Sequence, residues 1–125
     1  NAWTNAEKNI IETFDKDATI IIGENTRLNG AWIQSRKDIT VGKNCILGST
    51  SLIDTEFHPL PGKDEIPSNS IEIEDNVWIG GKSAILKGVT VGEGSVVGFG
   101  SVVRTDIPSK SVVIGNPAQV VKKLE

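Results

Sequence analysis

His58 is the only histidine in the chain, and histidine is the side chain that ordinarily titrates closest to neutral pH. Within hydrogen-bond reach of a hydroxyl it could take the proton as that oxygen attacks, the role of a general base. Two carboxylates precede it, Asp54 and Glu56. If the segment is extended, alternation puts Asp54, Glu56 and His58 on one side, where either acid could hold the imidazole by its second nitrogen. A backbone carbonyl of a loop residue would serve as well. Other chemistries find less support. One histidine cannot supply a three-histidine zinc site, so no metal is expected. Cys45, the single cysteine, has no histidine nearby in its phrase, and no GxSxG elbow is present. It is read as a small apolar core side chain, and it excludes an internal disulfide framework.

A repeat must position these residues. From Ile73 to Ile107 the chain runs IEDNVW, IGGKSA, ILKGVT, VGEGSV, VGFGSV, VRTDIP, each phrase opening on Ile or Val. Upstream the register returns at Ile22 and Leu28, then at Val41, Leu47 and Ile53. A period of six fits neither a helix nor an amphipathic strand; it marks a solenoid of short parallel strands. Position one supplies the interior Ile, Val or Leu. Position four is Asn25, Asn44, Asn76, Gly88, Gly94 and Gly100, the residue types that accept a left-handed backbone at least cost. Position five is Thr26, Cys45, Ser51, Val77, Ser83, Val89, Ser95 and Ser101, mostly small, as a tight inner corner requires. Three segments close a triangular coil of about 18 residues, and coils stack at roughly 4.8 Å.

The departures from the period carry as much information. Between Ile53 and Ile73 the register is interrupted, and residues 59–70 hold three prolines, a glycine and three charged residues. That composition predicts a loop pushed out of one corner, with His58 at its mouth. From Asn29 to Asp38 the register slips by one residue and puts Trp32 where a small corner residue belongs. Residues 1–19 read as an N-terminal arm or a short helix or strand; Thr4 to Glu7 has the form of a capping box. Residues 20–114 form the solenoid, and residues 115–125 a capping strand or short helix.

With 125 residues and a net charge of -3, the chain is one domain without a basic nucleic-acid surface. No apolar stretch approaches a membrane span and no signal peptide is evident, so a cytoplasmic protein is expected. A single cysteine fits that reducing compartment. The first residue is Asn1 rather than Met, which leaves open a chain that is trimmed or belongs to something longer.

The phrases NVWIGG, GVTVGEGSVVGFGSVV, DIPS and GNPAQVV resemble those of the hexapeptide-repeat acyltransferases, and within them the galactoside and maltose acetyltransferase group. The resemblance implies an all-β fold, a left-handed parallel β-helix with one excluded loop and a short C-terminal cap. It also implies a homotrimer and acetyl-CoA as co-substrate, with direct acetyl transfer to a hydroxyl of a sugar or glycan precursor. The HPLP segment matches the family's catalytic histidine at His58, the base for attack on the thioester.

On the donor side the resemblance implies a groove between adjacent subunits, where the pantetheine arm lies, with Trp78 and Gly81 along it and Phe99 in place of a residue usually small there. Positions one coil apart stack along the axis, so Gly81, Phe99 and Pro117 are expected to form a ladder. Arg104 and Thr105 fall where the family contacts coenzyme A, and Lys122 where a basic residue grips the nucleotide phosphates. On the acceptor side Asn29 is the counterpart of a family asparagine. The family aspartate position falls at Ser35 or Arg36, a departure that does not specify a galactoside. A serine or antibiotic acetyltransferase would share the donor side, and a non-catalytic solenoid would keep the repeats without needing His58.

Overall fold

The computed structural model describes residues 8–125, so the capping-box segment Thr4 to Glu7 lies outside the described residues. Among the described residues every helix or strand is a strand, and no helix is long and apolar enough to cross a membrane. Sheet A stacks β1 (Ile10–Thr13), β4 (Trp32–Ser35), β7 (Ser51–Ile53), β10 (Ala84–Ile85) and β13 (Val102–Val103) in that order. Sheet B stacks β2 (Thr19–Ile22), β5 (Asp38–Val41), β8 (Ile71–Ile73) and β11 (Thr90–Val91). Sheet C stacks β3 (Arg27–Leu28), β6 (Ile46–Leu47), β9 (Trp78–Ile79), β12 (Val96–Val97), β14 (Ser111–Gly115) and β15 (Ala118–Lys123). The chain visits A, B and C in turn, and all pairs are parallel except β14 with β15. This is a triangular parallel solenoid.

Two-residue strands have no stability alone, so each is held by the strands above and below and by the side chain it buries. The interior is a file of Ile33, Ile39, Leu47, Ile73, Ile79, Ile85, Val91, Val97 and Val103, each at most 1% exposed. Burying such a side chain contributes about 1.5–3 kcal/mol. At the corners, Asn25, Asn44, Asn76, Gly88, Gly94 and Gly100 all adopt positive φ, between 57° and 82°. Lys82 and Lys110 occupy the same position with φ of 59° and 52°, whereas Asp106, fourth in the phrase VRTDIP, does not adopt a positive φ. One step later the small side chains tie coil to coil. Thr26 Oγ1 donates to the Gly42 carbonyl at 2.6 Å, Ser83 Oγ to Gly98 at 3.0 Å, and Ser95 Oγ to Pro108 at 2.6 Å.

Two expectations need correction. In the coil before the loop the interior residue is Leu52, fully buried, while Ile53 is half-buried and pairs with Gln34. The inner corner there is accordingly Thr50, 1% exposed, rather than Ser51. The slip comes from coils slightly longer than the regular repeat, since Arg27 pairs with Ile46 and Trp32 with Ser51. The N-terminal segment is a strand from Ile10 onward, because β1 has the free edge of β4 to pair with. At the other end β14 and β15 form an antiparallel hairpin that closes the stack; a terminal strand, rather than a short helix, is the element formed.

Coil spacing locates each irregularity. Glu72 pairs with Thr90, three hexapeptide phrases on, whereas Thr40 reaches Glu72 only across the long coil that carries the loop. The last coil is shorter than the regular repeat, for Val112 already takes the place beside Val96. Asn44 is exposed and takes part in the corner through its backbone alone. Asn44→Val should lower the unfolding free energy in urea by roughly 1–2 kcal/mol, whereas Asn44→Gly should leave it nearly unchanged.

Candidate active site

The corner from sheet A to sheet B carries Asp54, Glu56 and His58. Asp54 is fully buried, and its hydrogen bonds go to the coil below. Its Oδ1 accepts from the Arg36 amide at 2.7 Å, and its Oδ2 from Ser35 Oγ at 2.7 Å and the Lys37 amide at 3.0 Å. The carboxylate thus caps the turn of the coil below, a charge-assisted brace. Ser35, at one of the two positions considered for the family aspartate, serves as its partner. Glu56 is exposed, and Lys87 Nζ donates to its Oε1 at 3.1 Å.

The expected row of three on one side does not form, because the extended backbone ends before His58. Thr55 bridges to Ser68, the Glu56 amide donates to the Pro67 carbonyl at 2.9 Å, and Phe57 turns with φ of 65°. These contacts pinch the neck of the excluded loop. Phe57 packs edge-to-face on Phe14, with ring centroids 5.3 Å apart. His58 follows directly and is exposed. Phe14 and Lys87 are parts of this neck that sequence reasoning missed. Their proximity depends on a coil of unusual length, which no local motif reports.

Arg104 and Thr105 lie at this same corner farther along the axis, both exposed. The other residues expected on the donor side lie elsewhere. Trp78 is 55% exposed and points outward from sheet C, in register with Ile46 and Val96. Val96 pairs with Val112, and Val112 with Lys122, so Trp78 and the exposed Lys122 share one outward column. Gly81 and Phe99 sit at the adjacent corner, from sheet C to sheet A. A Cβ on Gly81 would meet Ser49 Oγ at 3.2 Å and the Phe99 ring at 3.5 Å. Phe99, 74% exposed, therefore forms one wall of this groove. Asn29 is exposed at the same corner, nearer the N-terminus.

The ladder of three stops at two. Because the last coil is short, Pro117 is carried past the rung above Phe99 into the turn between β14 and β15. Cys45 is fully buried, and its thiol donates to the Glu74 carbonyl at 3.1 Å. Burial pushes its pKa up, outweighing the hydrogen bonds that lower it, so it stays a protonated core thiol. Among the described residues no group of three His, Cys, Asp or Glu side chains could hold a metal ion.

Residues 70–105 match the bacterial transferase hexapeptide family, described as six repeats. A Vibrio cholerae hexapeptide-repeat acetyltransferase of known structure is 31% identical, with a TM-score of 0.72; the match covers 95% of this chain and 72% of that one. The chain belongs to the hexapeptide-repeat acetyltransferase family. That Vibrio protein has also been solved with acetyl coenzyme A. A Schizosaccharomyces pombe protein described as an acetyltransferase is 44% identical over 91 residues, 70% of this chain and 44% of its own length. A galactoside O-acetyltransferase of Lactococcus lactis is 38% identical over 91 residues, again 70% of this chain and 44% of its own length. The chain thus spans less than half the length of these two relatives.

Within this family member, the geometry separates a braced acid from an exposed one. Asp54→Ala should lower the unfolding free energy by about 1.5–3 kcal/mol, whereas Glu56→Gln, which disturbs an exposed pair, should cost less than about 1 kcal/mol. Urea unfolding of the two variants tests this difference.

Proposed function

We propose that this chain is the β-helix of an acetyl-CoA-dependent O-acetyltransferase that acts on a hydroxyl of a sugar or glycan precursor. The observation that carries the reading is the exposed His58 at the pinched neck of the excluded loop. In the proposed reaction the acceptor hydroxyl gives its proton to His58 as its oxygen attacks the thioester carbonyl. The tetrahedral intermediate collapses by breaking the carbon–sulfur bond, and the departing thiolate takes the proton back from His58. The acetyl group passes directly between two bound substrates, with no covalent enzyme intermediate. Neither nearby acid orients the imidazole in this scheme, since Asp54 braces the coil below and Glu56 pairs with Lys87.

A single copy holds the parts on two different corners. His58, Arg104 and Thr105 stand at the corner leaving sheet A; Trp78, Gly81, Phe99 and Lys122 stand on sheet C and the corner entering sheet A. A cyclic trimer would bring the first set of one copy against the second set of the next, giving three equivalent sites. Coenzyme A, lying along the axis, would then pass Trp78, the Gly81–Phe99 groove and Lys122 on one side and meet Arg104 and Thr105 on the other. Asn29, on the donor-side corner, would contact the acceptor. A galactoside O-acetyltransferase among the relatives supports the sugar hydroxyl, and the buried protonated thiol of Cys45 is in keeping with the cytoplasm.

The reading is tested by following thiol release from acetyl-CoA across a panel of sugar acceptors. His58→Ala should lower kcat/KM by about 10²–10⁴-fold, with the KM for acetyl-CoA little changed. Equal turnover in the two proteins would remove His58 from the reaction.

A further inference from the structure

Trp32 has no part in the site proposed above, yet it is 47% exposed on the outer face of sheet A, at the start of β4. In sheet A it pairs in register with Ile10 on one side and with Ser51 on the other, followed by Ala84 and then Val102. The indole therefore stands beside a step of small side chains. Between them lies an open groove of about 460 Å³ whose lining includes Gly30, Trp32, Ser49, Ser51, Lys82 and Ala84. That is within the roughly 300–1,000 Å³ of small-molecule sites. The Ser49 and Ser51 hydroxyls have no hydrogen-bond partner among the described residues. The groove is continuous with the proposed donor corner, since Ser49 Oγ lies 3.2 Å from where a Cβ on Gly81 would be.

We infer that this groove is a subsite for a second, non-reacting sugar ring of an oligosaccharide acceptor. The inference rests on the sugar-acceptor reading and extends it to the length of the acceptor. A pyranose ring presents C–H groups on one face and hydroxyls around its rim. An exposed indole offers a π surface to the C–H face, and Ser49 and Ser51 offer partners to the rim. Small residues at positions 51 and 84 leave the thickness that a ring needs. The lining also argues against a second copy of the chain as occupant. Protein interfaces favour several aromatic and large apolar residues at their core and are depleted of Ser, Ala and Lys, whereas this groove has one large apolar side chain among Ser, Ala and Lys.

Binding is measured without catalysis, by saturation-transfer NMR and calorimetry with maltotriose, chitotriose and α2,8-linked trisialic acid, in the absence of acetyl-CoA. At least one trisaccharide should bind the wild type. Trp32→Ala should weaken that binding by about tenfold or more, Trp32→Phe by less, and Asn44→Gly, at the corner between sheets B and C, by under about twofold. Failure of all three probes on the wild type, or equal binding by Trp32→Ala, overturns the subsite. A lower oligomer mass for Trp32→Ala in sedimentation also overturns it, because Trp32 would then be seated against a second copy. Retained turnover in His58→Ala, by contrast, overturns the catalytic reading and leaves a measured Trp32-dependent affinity standing.

Discussion

The parallel backbone hydrogen bonds between successive coils are the interaction on which the rest of this structure depends. Strands this short cannot persist without them. They demand that each corner turn sharply and return the chain to register one coil later. That demand puts a left-handed backbone at position four of most phrases, Lys82 and Lys110 included. It also selects short side chains at the inner corner, where Thr26, Ser83 and Ser95 repeat the tie between coils through their hydroxyls. With the frame held this way, a coil of different length does not disturb its neighbours; it displaces only the residues at its own corner.

Much of the frame was legible in the sequence because period and corner chemistry are local. All six Asn and Gly positions read as left-handed bends have positive φ, and the interior file follows the apolar register on both sides of the loop. The errors share one cause. A constant coil length makes Ile53 an interior residue and Pro117 the rung above Phe99. A longer coil before the loop and a shorter one at the end of the stack move both out of those places. The row of Asp54, Glu56 and His58 failed for a related reason. Alternation holds only while the chain is extended, and the bridge from Thr55 to Ser68 and the bend at Phe57 end the strand before His58.

The candidate site was less legible than the frame, since it is assembled by stacking. The sequence singles out His58 but cannot show that Phe14 packs beneath the neck of its loop or that Lys87 holds Glu56. Nor does it show that the residues expected to act together stand on two corners of the prism. The width of sheet A separates the base from the groove beside Gly81. This separation turns the proposed trimer from an inherited property into a requirement of the proposed chemistry: one copy supplies the base and the next supplies the donor groove.

The shared site is tested most directly by complementation between two inactive variants. His58→Ala removes the base, and Gly81→Trp blocks the donor groove against Ser49 and Phe99. If neighbouring copies complete each site, the whole population refolded from equal amounts should regain about a quarter of wild-type activity, because one site in four receives both intact parts. A mixture that stays as inactive as the two variants alone, while sedimentation and mass spectrometry show that mixed trimers have formed, would contradict the account.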